Sequence, residues 1–321
     1  MLDKIQKCYQ PWVIEKYPPK KAWAGNLLSH KQRKGVWEHT EDPLPKNLPL
    51  FSSKIGGLKP TIFEDEGWPT CDSKFGSCGR PLTFLCQINF NDIKDPEFQK
   101  LYGNGLLQVW ACLGPISERS DGSTYYPCQC DGDRPSLSVR MLLQDEMEND
   151  KFEDGVCDKG KPPVVLEEDV YTSFEMISQH DMPSNHFDIL ERDLAISDWD
   201  IEPWFLPDYD DSLEDLISRN WSPTIGRLGG WFSFFQAEPL MVCPDCYNEL
   251  EERKKTGLID EIRTNSIPMP YMQPLFCLTL SSFETWNVDR DPRLRASEIV
   301  LGIFQCPKHL EYVDGTAIYL G

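Results

Sequence analysis

The amino-acid sequence predicts a β-rich α+β fold in which two related halves form one body. Three observations support it: apolar runs of strand length, an order of features that occurs twice, and helical patterning in a central acidic segment. The chain has 321 residues, of which 40% are hydrophobic and 12% aromatic. This length suits two modest domains or one large body made of two halves, and the composition can build a substantial core.

The strands are predicted from runs rich in β-branched and aromatic residues. The four runs are PLTFLCQINF, GLLQVWAC, PLFCLTLSSF and EIVLGIF. Each has the length of a strand, and each is apolar enough to be buried on at least one face. Between them, YDDSLEDLISRN carries apolar residues at helical spacing and acidic residues in its first turn, which predicts a helix.

The same features recur in the same order in both parts of the chain. A Gly-Gly pair, at 56–57 and at 229–230, comes before a cysteine pair and then a strand that opens with Pro-Leu. A second strand ends in cysteine, 31 residues after Pro81 in the first part and 32 residues after Pro274 in the second. Four matches in one order predict an internal duplication.

These features divide the chain into four segments. Residues 1–50 form an N-terminal arm that is rich in Lys, Trp and Pro and has no sustained period. Residues 51–145 form the first half and residues 222–321 the second half. Residues 146–221 form an acidic connecting segment.

The charge of the chain is strongly negative and unevenly distributed. The formal net charge is −20, which argues against a broad nucleic-acid-binding face, because phosphates require a positive surface. Residues 141–220 contain 23 acidic and 5 basic residues, whereas residues 1–60 contain 11 basic and 5 acidic residues. The acidic block is either a solvated surface that aids solubility or a docking surface for a basic protein partner.

The expected location follows from apolar runs and cysteine usage. No apolar run of 18 residues occurs, so we expect no membrane-spanning helix. The first residues lack the apolar region and small-residue cleavage site of a signal peptide, so we expect a cytosolic or nuclear protein rather than a secreted one. In such a reducing compartment, twelve cysteines indicate metal binding or ordinary burial rather than disulfides.

The second half contains the spacing typical of a zinc site. Cys243 and Cys246 form a C-x2-C pair, and Cys306 and His309 form a C-x2-H pair 60 residues further on. Together they supply the four ligands of a tetrahedral Cys3His zinc site. The alternative is that Cys306 ends a buried strand, His309 lies on the surface and CPDC is a turn.

The first half offers five cysteines for the four places of a second zinc site. The favoured ligands are Cys71, Cys78, Cys128 and Cys130. Cys112 competes for a place because it is the positional counterpart of Cys306. Four-ligand sites of this kind are closed to water, so zinc in either half would stabilise the fold rather than catalyse a reaction.

The remaining cysteines have simpler interpretations. Cys86 and Cys277 lie within apolar strands and are expected in the core. Cys8 and Cys157 stand alone and are interpreted as incidental. The sequence also lacks the P-loop, GxGxxG, HExxH and GxSxG motifs, so no known catalytic machinery is recognised and we expect no enzyme.

The string IGG followed by WPTC…CGRPLTFLCQINF and GLLQVWAC resembles the YwqG-like family, a domain of unknown function. The same order with cysteines resembles programmed cell death protein 2 and its relatives. The resemblance covers roughly residues 52–145 and 222–321 and is most specific between Cys78 and Gln87. It implies a β-rich α+β body of two related halves. For the cell-death branch it also implies a cytosolic escort that holds a newly made ribosomal protein.

The sequence departs from these relatives at three points. Six residues separate Cys71 from Cys78, where the relatives have a closer pair. An insertion, LGPISERSDGSTYYP, follows Cys112. The last candidate ligand of the second half is His309, where the relatives have cysteine.

The sequence therefore favours a non-enzymatic protein-binding or escort protein. Structural zinc would hold its fold, and its acidic surface would meet a basic protein client. The alternative is a structural subunit or an immunity-type inhibitor of a larger assembly. Neither hypothesis includes direct binding of nucleic acid or of a membrane, and the oligomeric state is left open.

Overall fold

The fold is mainly β, so the predicted α+β class is wrong. The computed structural model describes residues 20–28, 30–33, 36–39, 44–45, 47–71, 78–113, 117–118, 124–125, 137–157, 162, 165–166, 168–181, 226–230, 242–256, 272–279 and 298–320. Within these residues, one ten-stranded sheet dominates and the helices are short. The helix predicted over residues 209–220 lies outside the described residues.

The elements are numbered along the chain. The strands are β1 (Lys20–Leu27), β2 (His30–Arg33), β3 (Val36–His39), β4 (Lys54–Ile55), β5 (Thr61–Phe63), β6 (Thr83–Asn89), β7 (Gly105–Ala111), β8 (Ser117–Glu118), β9 (Thr124–Tyr125), β10 (Leu137–Leu143), β11 (Phe152–Asp154), β12 (Asp169–Asp181), β13 (Arg227–Gly229), β14 (Gln273–Thr279), β15 (Glu298–Gln305) and β16 (Val313–Leu320). The helices are α1 (Pro96–Tyr102), α2 (Gln144–Asn149) and α3 (Pro244–Lys255), with a 3₁₀ turn at Phe90–Asp92. Among these helices, none has the length and apolarity needed to cross a membrane.

The main sheet has the order β10-β7-β6-β4-β12-β1-β13-β14-β15-β16. All neighbours in it pair antiparallel. The predicted strand runs are confirmed as β6, β7, β14 and β15. The strands of the first half lie on one side of the central β12-β1 pair, and those of the second half lie on the other. The two halves are thus parts of one continuous sheet rather than separate α+β repeats.

The sheet curls so that its two outermost strands, β10 and β16, pack against each other. A Cβ atom placed on Gly315 of β16 would lie 3.1 Å from Val139 Cγ2 of β10. The curled sheet encloses one large apolar core, which includes Trp23, Leu85 and Ile303. Such closure covers the edges that would otherwise offer unpaired backbone groups to other chains.

The N-terminal segment contributes a central strand of this sheet. β1 pairs with β12 on one side and with β13 on the other, so it joins the two halves. Its Trp23 is buried, and the ring packs edge-on against Phe98 with centroids 5.1 Å apart. The indole N–H donates to Asp95 at 3.0 Å. β1, which falls in the predicted arm, is therefore part of the main sheet, and its Trp23 and Leu27 belong to the core.

Two buried glutamines on adjacent strands hold the first half together. Gln87 Nε2 donates to the Ser52 carbonyl at 2.8 Å, and its Oε1 accepts from the Thr61 amide at 3.0 Å. Gln108 Nε2 donates to the Thr61 carbonyl at 2.7 Å. Buried amides of this kind must be satisfied, and here they connect β6 and β7 to β5 and to the loop that contains Ser52. Gln87, the last residue of the specific string, therefore has a structural role.

Replacing Gly229 with alanine is expected to destabilise the protein by about 1–2 kcal/mol or more, because Gly229 has a φ of +64°. The new Cβ would also lie 2.8 Å from the Lys21 carbonyl oxygen of β1. Chemical denaturation of both variants would measure the change. Gly67→Ala is the matched control, since a Cβ there meets nothing within 4 Å. Equal stability of the two variants would contradict the left-handed backbone of Gly229 and its close approach to β1.

Candidate metal centre

The second-half centre joins the start of a helix to the end of a strand. Cys243 precedes α3 and Cys246 lies in its first turn, where the Tyr247 amide donates to the Cys243 carbonyl at 2.9 Å. Cys306 directly follows β15, and His309 lies in the turn after it. The C-x2-C and C-x2-H spacings therefore place each pair within one turn of backbone, and the fold brings the two pairs together.

The four ligand atoms of this centre lie within 4.8 Å of one another, so they could hold a metal ion. His309 presents Nδ1 to all three sulfurs, at 3.4 Å from Cys243, 3.5 Å from Cys246 and 3.6 Å from Cys306. The sulfurs of Cys246 and Cys306 are 3.6 Å apart. The predicted Cys3His set thus converges on one point, and His309 does not lie apart on the surface as the alternative required.

Backbone dipoles around the centre point at its sulfurs. The amides of Lys308 and His309 point at Cys306 Sγ, at 3.4 and 3.3 Å. Cys243 and Cys246 lie at the amino end of α3, where the helix dipole stabilises negative charge. These dipoles would support the negative charge that thiolate ligands bring to a metal ion.

The three sulfurs of the centre lie in apolar surroundings. All three cysteines are buried, in a cluster with Met272 and Phe304. Burial, followed by the neighbouring Cys306, raises the pKa of the Cys246 thiol to about 12. A hydrogen bond to Cys243 is the main cause that raises the pKa of His309. Without a metal ion the Cys246 thiol stays protonated at neutral pH, so metal binding would displace its proton.

The first half contains a second group of thiols, here called the first cysteine cluster. It consists of Cys71, Cys78 and Cys112, whose sulfurs lie within 4.8 Å of one another. Cys71 and Cys112 are buried and Cys78 is exposed. The sulfurs of Cys78 and Cys112 are 3.6 Å apart. This group could also hold a metal ion.

Comparison with known proteins gives one match. Residues 53–269 match the family described as a domain of unknown function, DUF1963. This range spans more than half of the 321-residue chain. The chain belongs to this family. No curated protein and no solved structure matches the chain.

The DUF1963 match covers only part of the candidate metal centre. It includes the first cysteine cluster and the CPDC pair of the second half, Cys243 and Cys246. It ends before Cys306 and His309. The family match therefore does not extend to Cys306 and His309, and only the distances in this structure place them beside Cys243 and Cys246.

The structure changes the interpretation of several first-half cysteines in this DUF1963 chain. Cys112, predicted as a competitor, lies in the first cysteine cluster beside Cys71 and Cys78. Cys128 and Cys130, which the prediction favoured, lie outside the described residues. Cys86 is buried in the core, as predicted.

In the second half, Cys277 is half-buried and packs beside the second-half centre without belonging to its ligand set. Burial raises the pKa of its thiol to about 12.

Cys157, which the sequence analysis interprets as incidental, has a position that the sequence did not indicate. It is half-buried and packs against the apolar cluster that contains Cys71 and Cys112. Neither its spacing nor its neighbours in sequence indicate this position. The only signal in the sequence was the high cysteine content of the whole chain.

A cavity of about 560 Å³ lies between the loop at 49–53 and β12. Its polar wall is already engaged, since Ser53 Oγ donates to Asp92 at 2.7 Å and accepts from the Asn89 amide at 2.8 Å. Groups that satisfy one another do not converge on a ligand. The cysteine-containing groups are therefore the stronger candidates for a functional site.

Proposed function

We propose that this protein is a non-enzymatic binding protein of the escort type, with its fold fastened by zinc. One observation carries the proposal: the ligand atoms of the second-half centre surround a single point, with their sulfurs buried. The centre consists of Cys243, Cys246, Cys306 and His309.

The distances of this centre fit zinc. With Zn–S of about 2.3 Å and Zn–N of about 2.0–2.1 Å, a tetrahedral site has S···S edges of about 3.8 Å and S···N edges of about 3.6 Å. The S···S distance between Cys246 and Cys306 is 3.6 Å, and the three S···N distances to His309 run from 3.4 to 3.6 Å. A set of three thiols and one imidazole also binds zinc in preference to magnesium or calcium.

A zinc ion held by these four side chains has no place for water or substrate. Catalytic zinc sites keep such an open position, whereas structural sites fill all four. The zinc would instead tie α3 to the end of β15. This arrangement supports a binding function rather than a metal-dependent reaction.

The proposed client is a basic protein. The net charge is −20, and the described part of the acidic block exposes Asp145, Glu148 and Glu153 around α2 and β11. A surface of this sign attracts a basic partner and speeds its association. The sequence resemblance to relatives of programmed cell death protein 2 implies the same kind of function, with the cytosol as the expected location, whereas the YwqG-like resemblance implies no activity.

The client surface can be tested with two matched charge swaps on exposed helical residues. Asp145→Lys with Glu148→Lys on α2 is expected to recover at least about tenfold less client in affinity purification at low salt, a loss that needs only about 1.4 kcal/mol. Glu249→Lys with Glu252→Lys on α3 makes the same change in net charge and should leave recovery intact. Mass spectrometry of the eluates gives the measurement.

Two outcomes would count against an escort. No recovery of protein by the wild type at low salt would contradict the proposal outright. Recovery of one partner in fixed stoichiometry, unaffected by salt or by either swap, would instead indicate a structural subunit of a larger assembly.

A further inference from the structure

Two thiols of the first cysteine cluster lie in contact, one at the surface and one in the interior. The sulfurs of Cys78 and Cys112 are 3.6 Å apart. Cys78 is exposed, whereas Cys112 is 1% exposed and packs in an apolar cluster with Trp68 and Trp110. A dissolved reagent can therefore reach one sulfur of the pair, while the second sulfur lies directly behind it.

The backbone on the carboxyl side of Cys78 holds this pair together. The Gly79 amide donates to the Cys71 carbonyl at 3.2 Å, and the Cys71 amide donates to the Arg80 carbonyl at 2.8 Å. Cys112 directly follows β7, which pairs along its length with β6. The contact between the two sulfurs thus follows from backbone pairing on both sides.

A small movement separates this contact from a covalent bond. Disulfide sulfurs lie about 2.05 Å apart, so the two sulfurs would have to approach each other by about 1.5 Å. Rotation of the exposed Cys78 side chain can supply this movement, because a Cβ on the neighbouring Gly79 would meet nothing within 4 Å. The buried Cys112 can stay in place.

We propose that Cys78 and Cys112 are a modification site at which hydrogen peroxide forms a reversible disulfide. The Cys78 thiolate attacks one peroxide oxygen and breaks the O–O bond, which releases water and leaves a sulfenic acid on Cys78. The Cys112 thiol then attacks the Cys78 sulfur, forms the S–S bond and releases a second water. The two thiols together lose two electrons and two protons, and one peroxide is reduced to two waters.

The disulfide would be transient in a reducing compartment. A small cellular thiol attacks the exposed Cys78 sulfur, releases Cys112 as a thiol and, in a second exchange, releases Cys78 as well. Disulfides in the cytosol, the location expected for this protein, are usually of this transient kind. The proposal does not depend on the client or on zinc in the second-half centre.

The second-half centre contains a matched pair without an exposed member. The sulfurs of Cys246 and Cys306 are also 3.6 Å apart, but both cysteines are buried. Peroxide reaches them only when the fold opens. The same sulfur separation should therefore give a disulfide in the first half and none in the second, which separates the effect of access from that of proximity.

Mass spectrometry of the full chain before and after brief treatment with hydrogen peroxide tests the proposal. The wild type is expected to lose the mass of two hydrogen atoms, and a digest under non-reducing conditions should contain Cys78 joined to Cys112. Dithiothreitol should restore the original mass. Cys78→Ser should lose the disulfide, whereas the matched variant Cys71→Ala, in the same cluster, should still form it.

Three results would overturn the proposal. They are no disulfide in the treated wild type, a disulfide that joins Cys78 to Cys71, and a disulfide between Cys246 and Cys306 formed as fast as the first. Because Cys78 is exposed, Cys78→Ser should unfold at the same urea concentration as the wild type. Loss of the disulfide in this variant then reports the missing thiol rather than misfolding.

Discussion

Alanine in place of His309 is expected to release zinc from the second-half centre and to destabilise the protein severely. Structural zinc contributes about 10–16 kcal/mol in small zinc-binding peptides, which is comparable to the total stability of about 5–15 kcal/mol of many domains. Loss of one of the four ligands should therefore remove a large part of the stability of the second half. Thermal unfolding with and without added zinc gives the measurement, and the variant should no longer respond to zinc.

Two further variants separate ligation from packing at this centre. His309 faces the sulfurs through Nδ1, the ring nitrogen nearer the backbone, so the shorter side chain of His309→Cys should reach the same place and retain zinc. Cys277→Ala, beside the centre, should keep its response to zinc. If His309→Ala unfolds at the same temperature as the wild type and still responds to zinc, His309 is not a ligand.

Removal of β1 is expected to abolish folding. A chain that begins at residue 29 lacks β1, the strand between β12 and β13. The two parts of the main sheet would then lose the backbone hydrogen bonds that join them. The single change Trp23→Ala should already destabilise the protein by about 3–5 kcal/mol, because it removes a buried aromatic side chain. Urea denaturation followed by circular dichroism measures both effects.

Leu44→Ala is the matched control for the N-terminal segment. Leu44 is 38% exposed, so its replacement should change the free energy of unfolding by less than about 0.5 kcal/mol. If the chain that begins at residue 29 folded with the stability of the wild type, β1 would be dispensable and the central position of this strand would be contradicted.

The strands that were predicted correctly are those whose own side chains are apolar enough to drive their burial. β6, β7, β14 and β15 are runs of apolar, β-branched and aromatic residues, and β7 is buried along its whole length. Such runs are buried wherever they pair, so local pattern suffices to identify them.

β1 and β12 could not be recognised in the same way. β1 reads KKAWAGNL, and β12 lies in the acidic segment and reads DVYTSFEMISQHD. Both contain many polar residues, and their strand conformation depends on pairing with each other across more than 140 residues of sequence. Strand formation of this kind depends more on partners than on intrinsic preference. The predicted α+β class was wrong in part because β12, which lies in the segment with the expected helical patterning, is a strand of the main sheet.

The candidate metal centre was predictable to the extent that its ligands come in close pairs. The spacing of Cys243 and Cys246, and of Cys306 and His309, gave the second-half set, which the structure brings together. In the first half the candidate ligands are single cysteines on separate elements, and their spacing could not show which of them lie together. The place of Cys157 depends on the pairing of β11 with β5, which no short motif encodes.

The zinc content of the 321-residue protein, purified without chelator, tests the Cys3His centre most directly. Elemental analysis should find zinc bound to the wild type and one ion fewer per chain in Cys243→Ser. Zinc far below one ion per chain in the wild type, or equal zinc in the two proteins, would contradict a zinc centre at Cys243, Cys246, Cys306 and His309.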